Sequence, residues 1–127
     1  AELLPALGKS VEKARGKRAP FWRSGETFAF TAAQIEGVQQ LITAAGFVDG
    51  PSDLVNGYGE SMNFDLAHAR DALEAVTGAP EAAFGEEEDR GRISYATIAM
   101  EGAKHTLNGE LAGALGLVMG FNALDGD

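Results

Sequence analysis

An all-α fold, an antiparallel bundle of about four helices, is what this sequence predicts, and three observations predict it. Apolar residues recur at steps of three and four along four stretches separated by glycine- and proline-containing breaks. No stretch sustains period-two alternation, and no Asn-Gly turn joins two apolar runs, so strands have no support. The 127 residues suffice for one domain with a core and fall short of two. Residues 1–127 therefore read as a single helical domain with short connections.

The first helix covers about Ala1 to Ala14, with Leu4, Leu7, Val11 and Ala14 on one face. Pro5 falls in its first turn, where a missing N–H costs little, and Gly16 to Pro20 ends it. Phe21 to Ser24 form a loop, and Ser24 or Thr27 can cap the second helix. That helix runs to about Ala45 on a stripe of Phe28, Ile35, Val38, Ile42 and Ala45, with Gly46 as its C′ residue. Val48 to Gly57, rich in Gly, Pro, Asp and Asn, reads as a loop or short helical turn. The third helix should span about Tyr58 to Thr77 and face Met62, Leu66, Ala69, Leu73 and Val76 inward, before Gly78-Ala79-Pro80 stops it.

Glu86 to Asp89 form an acidic cluster ahead of the fourth helix. Carboxylates are favourable at the positive end of a helix dipole, whereas a calcium loop needs alternating oxygen ligands and a turn glycine that this stretch lacks. The fourth helix, about Arg90 to Leu115, carries one stripe of Ile93, Ala96, Met100, Ala103, Leu107, Leu111 and Ala114. Nearly opposite lie Ile98, Gly102, Gly109 and Gly113. Each interior glycine costs about 0.5–1 kcal/mol against alanine. Three on one face imply a helix packed on two sides, either central in the domain or pressed against a partner.

Composition narrows the partners. A formal net charge of -9, from 19 acidic and 10 basic residues, repels phosphate backbones and anionic lipid, so neither nucleic acid nor a membrane surface suits this chain. No apolar run approaches the roughly 20 residues of a membrane span, so no membrane insertion by this segment is expected. The absence of cysteine excludes disulfides, thiolate chemistry and cysteine-based zinc or iron–sulfur sites. The chain opens at Ala1-Glu2 with neither an initiator Met nor a basic-then-apolar secretion signal, and we expect further chain upstream.

Few residues suggest chemistry. Glu101 and His105 stand at i,i+4, a spacing that could supply half of a divalent metal site or merely an acid–imidazolium pair. His68 lies between Asp65 and Asp71 on a face that also carries Phe64, where a solvated imidazole is the simpler reading. Without further ligands near either histidine, no metal ligand is assigned, and no HExxH, GxSxG, P-loop or dinucleotide motif is present. Catalytic residues are unassigned. Two segments resist a pure packing explanation: Arg18 to Ser24, which sets the single tryptophan beside Arg23, and the tail Leu115 to Asp127, which ends apolar residues with Asn122, Asp125 and Asp127.

Those two segments carry a family resemblance. Arg-Ala-Pro-Phe-Trp-Arg-Ser at 18–24, Ile35-Glu36-Gly37 one helix later, and the terminal Leu-Gly-Leu-Val-Met-Gly-Phe-Asn-Ala-Leu-Asp-Gly-Asp resemble the second half of imelysin-like proteins over essentially the whole chain. The resemblance implies a bacterial cell-envelope protein, periplasmic or a lipoprotein, built from two helical-bundle halves and associated with iron uptake. It also implies a filing among metallopeptidases. The family's Gly-x-His-x-x-Glu motif belongs to the N-terminal half and does not occur here; Gly102-Ala103-Lys104-His105 followed by Glu110 has the wrong spacing.

On this resemblance the chain is the C-terminal half, its partner is the N-terminal half, and iron or another divalent metal is bound mainly by that missing half. Trp22, Arg23, Ser24, Asn122 and Asp125 are the residues expected to line the cleft between the halves. Three functions stay open, in this order: binding of iron, haem or another metal-linked ligand at that cleft; part of a metal-dependent peptidase; a helical scaffold or interaction domain without a small ligand. Binding leads because a hydrolase needs a general base beside a metal set, and this half offers neither.

Overall fold

The computed structural model describes residues 3–9, 14, 16 and 25–116. Helix α1 (Leu4–Leu7) is a single turn, and three long helices follow: α2 (Thr27–Ala44), α3 (Asp53–Glu74) and α5 (Glu87–His105), with the short α4 (Pro80–Ala83) between the last two. Helix α5 runs on without a break into a π-helical segment, Thr106–Leu111, and a last helical stretch, 112–116. The fold is thus an all-helical bundle, with three long helices among the described residues.

Helix α3 is its centre. It packs along α2 on one side and along α5 and the π segment on the other, while α2 and α5 meet each other only marginally. Successive long helices run antiparallel. Gln39 of α2 donates to the Asn63 carbonyl and accepts from Arg70, both on α3, and Gly102 of α5 lies against the Asp65 carboxylate of α3. The core is one cluster, centred on Leu3, Leu73, Phe84, Ile93 and Leu111, with the Phe28 and Phe84 rings 5.5 Å apart.

Local signals explain most boundaries. Helix α2 ends as its sequence predicts. Gly46 takes φ +80°, its N–H bonds the Thr43 carbonyl and that of Phe47 the Ile42 carbonyl, which is a Schellman closure. At the start of α2 the cap position is Glu26, without a side-chain cap bond, and Thr27 is the first helical residue instead of the cap. Helix α3 begins five residues before Tyr58, because Ser52 caps it by accepting from the Val55 N–H at 3.3 Å. Of the Val48-to-Gly57 stretch that reads as a loop or short helical turn, Ser52 is the cap and residues 53–57 already belong to α3. The first helix is much shorter than its periodicity predicts: it closes at Leu7, where Gly8 turns to φ +65°. Val11 lies outside the described residues.

The first turn of α5 ties these parts together. Glu86 is the N-cap, accepting from the Glu88 and Asp89 amides. Asp89 is 1% exposed. Its carboxylate accepts from the Thr77 amide at 3.1 Å, the Gly78 amide at 2.8 Å and the Arg92 guanidinium at 2.8 Å. Burial pushes this carboxyl up, but the two amides and Arg92 outweigh it and hold its pKa below the usual range. Arg90, beside it, donates to the carbonyls of Leu7, Gly8 and Phe84, and so fastens the ends of α1 and α4. The acidic cluster is therefore a cap and an anchor.

Glycine matters most where no stripe suggested it. A Cβ on Gly59, buried in α3, would overlap the Phe47 carbonyl oxygen of the α2–α3 connection. The predicted glycine face of the fourth helix is different. Gly102 touches only the Asp65 carboxylate, nothing among the described residues comes within 4 Å of a Cβ at Gly109 or Gly113, and Ile98 is 69% exposed. Helix α3, not this one, is central among the described residues, and none of them brings a second backbone against that face.

Two substitutions test this framework. Asp89→Asn removes a charge that satisfies two amides and should cost about 2–3 kcal/mol at pH 7 in denaturant unfolding. Because the folded-state pKa is depressed, the carboxylate's contribution is complete above the ordinary value of about 4 and fades as pH falls through the lowered value. The stability gap between wild type and Asp89→Asn should therefore narrow in acid, and a pH-independent gap contradicts the assignment. Gly59→Ala should destabilise by about 1–3 kcal/mol through overpacking, whereas Gly57→Ala, on the same helix with open space around it, should gain about 0.5–1 kcal/mol from helix propensity.

Candidate functional site

Away from the α5 anchor, α2 and α5 leave a groove over α3. A cavity of about 170 Å³ lies there, lined by Val38 of α2, Met62 and Leu66 of α3, and Met100, Ala103, Lys104 and Leu107 of the α5–π helix. Val38 is 44% exposed, Leu41 beside it on α2 67%, and Leu107 43%. All three are apolar residues left exposed on helices that bury another face in the core. Val38 and Leu107 belong to the stripes that sequence periodicity assigns to the core, and the structure corrects both.

The π segment changes the spacing of the buried residues after Ala103. At a constant α-helical period, Ala103, Leu107 and Leu111 share a face. Through 106–111 the turn widens, and the buried residues become Thr106 and Leu111, five apart, as π pitch dictates. Leu107 stays on the side of Met100 and Ala103, facing the groove, while Leu111 and Ala114 are buried in the core against α3. Isolated π turns inside α-helices are often found at functional sites.

A second cavity, about 380 Å³ and open to solvent, adjoins this groove. Glu101, Lys104, His105, Asn108 and Gly109 line it, and Lys104 is common to both. Sequence spacing pairs Glu101 with His105, and the structure sets both on this cavity without an ion pair between them. Among the described residues neither side chain has a hydrogen-bonding or charged partner. Asn108 was not singled out by sequence, although it follows Glu101 and His105 at i+7 and i+3 and so shares their helix face. His68, the other histidine, is exposed on the far side of α3 and stacks on Phe64, with ring centroids 4.4 Å apart.

Trp22, Arg23, Ser24, Asn122 and Asp125, the residues expected to line an interdomain cleft, lie outside the described residues. Gly25, which follows Ser24, borders a cleft of about 410 Å³ together with Phe28, Leu73, Thr77 and Gly78. No helix among the described residues is long and apolar enough to cross a membrane, and no three carboxylate or imidazole side chains converge there. Compared with protein-family profiles, characterised proteins and solved structures, the chain gives no match.

Proposed function

We propose that this chain is the C-terminal helical half of an imelysin-like protein of the bacterial cell envelope, and that it walls a cleft in which iron, haem or another metal-linked ligand is held. The observation that supports the reading is the groove between α2 and α5, lined by apolar side chains and joined through Lys104 to a polar cavity. Ligand sites combine apolar walls with a few placed polar groups in this way. The N-terminal half is the partner, and it contributes most of the metal ligands. Haem suits the combination chemically, because it offers an apolar macrocycle, anionic propionates for a lysine and an iron for an imidazole.

The exposed Val38, Leu41 and Leu107 also favour a simpler reading, a helical interaction domain whose partner covers the groove without any small ligand. One experiment separates them. Haemin and ferric iron are titrated into the natural full-length polypeptide and into its Val38→Asp/Leu107→Asp variant. Saturable uptake of either, weakened about tenfold by the double substitution, is the expected result. No uptake by the full-length polypeptide, or uptake indifferent to the groove, overturns the ligand reading.

A further inference from the structure

The cavity beside the groove holds two donor groups that the fold leaves unspent. Both side chains are exposed, where water commonly serves a polar group, whereas this molecule pairs Asp89 with Arg92 and Arg70 with Glu74. Glu101 and His105 could have paired as acid and imidazolium, one helical turn apart. They do not, and no other described residue partners either one. Both line the same cavity with the Asn108 carboxamide, which the π segment carries.

We propose that Glu101 and His105 form an open half-site for a borderline divalent cation such as Zn²⁺ or Co²⁺, with Asn108 as a weaker third oxygen donor. A neutral imidazole nitrogen and a carboxylate oxygen are the donor types such ions accept. The spacing places both on one face of a single helix, so no loop must be ordered for the ion to bind. Only three donors are at hand, one of them a neutral amide, so the remaining coordination positions stay open to water or to an incoming ligand. Lys104, on the same cavity, is a like charge to the ion and holds its affinity down. The chain contains two histidines and no cysteine, so His68 is the natural control: its ring is stacked on Phe64, outside this cavity.

This assignment concerns residues of this chain alone and does not rest on the envelope-protein reading, and divalent ions and haem are titrated separately. Zn²⁺ is titrated calorimetrically, and Co²⁺ by visible absorption, into the 127-residue chain and its variants at neutral pH, with circular dichroism to check that each remains helical. One saturable equivalent is expected, weakened at least about tenfold by His105→Ala and by Glu101→Gln, unchanged by His68→Ala, and tightened about threefold by Lys104→Ala. Imidazole NMR should broaden His105 and spare His68 when Co²⁺ is added. No saturable uptake, or uptake that survives both His105→Ala and Glu101→Gln, or uptake lost in His68→Ala, overturns the proposal.

Discussion

The buried carboxylate of Asp89 is the interaction on which the rest of this molecule depends. A helix start leaves amides without partners, and so does a chain reversal. Asp89 sits where the two problems meet, in the first turn of α5 against the α3–α4 connection. Glu86 satisfies the helix end, which frees Asp89 to accept from Thr77 and Gly78. A buried carboxylate without such donors would be expelled or protonated; with two amides and Arg92 it is held ionised. Arg90 then extends the same knot to the carbonyl ends of α1 and α4. Two adjacent side chains thus fasten three connections that a small core would struggle to order through apolar contacts alone.

Much of the helical framework was legible in the sequence because it is set by local rules. Gly46 ends α2 through its positive φ, and the Met62, Leu66, Ala69, Leu73 spacing describes a buried face of α3 directly. What could not be read is whatever depends on residues far apart in the chain. Asp89 looks like one carboxylate among four until Thr77 and Gly78 are placed against it, and nothing near Gly59 announces that the Phe47 carbonyl will lie over it. Gly8 shows the opposite error. A single glycine in an otherwise periodic stretch takes a positive φ and ends the helix, and Arg90, 82 positions later, donates to its carbonyl.

The candidate site has the same mixture. Glu101 and His105 could be paired from spacing alone, and their shared cavity agrees with it. Asn108 shares their face at ordinary helical spacing, and the exposure of Leu107 could not be read because it depends on how far α2 stands from this stretch of helix. The glycines opposite the apolar stripe invited an inference of close packing. Within the described chain only Gly102 has a near neighbour, and that neighbour is a carboxylate. Small residues permit close approach without requiring it.

The distribution of burial along the helices links the knot to the candidate site. In α2 the buried residues Thr27, Phe28, Thr31, Ala32 and Ile35 crowd the first half, and only Ile42 is buried in the second. In α5, Asp89, Ile93 and Ala96 are buried in the first half and Thr97 and Ala103 in the second, and its continuation is buried again at Thr106, Leu111 and Ala114. These two helices run in the same direction on either side of α3, and it is α2 that loosens away from the anchored end. Val38, Leu41 and Leu107 are exposed toward the loose end, and the Glu101–His105 cavity lies there as well. Beyond the groove the π segment carries Leu111 into the core against α3. Polar fastening at the start of α5 therefore orders one end of the domain, and the groove with its exposed apolar residues lies toward the other.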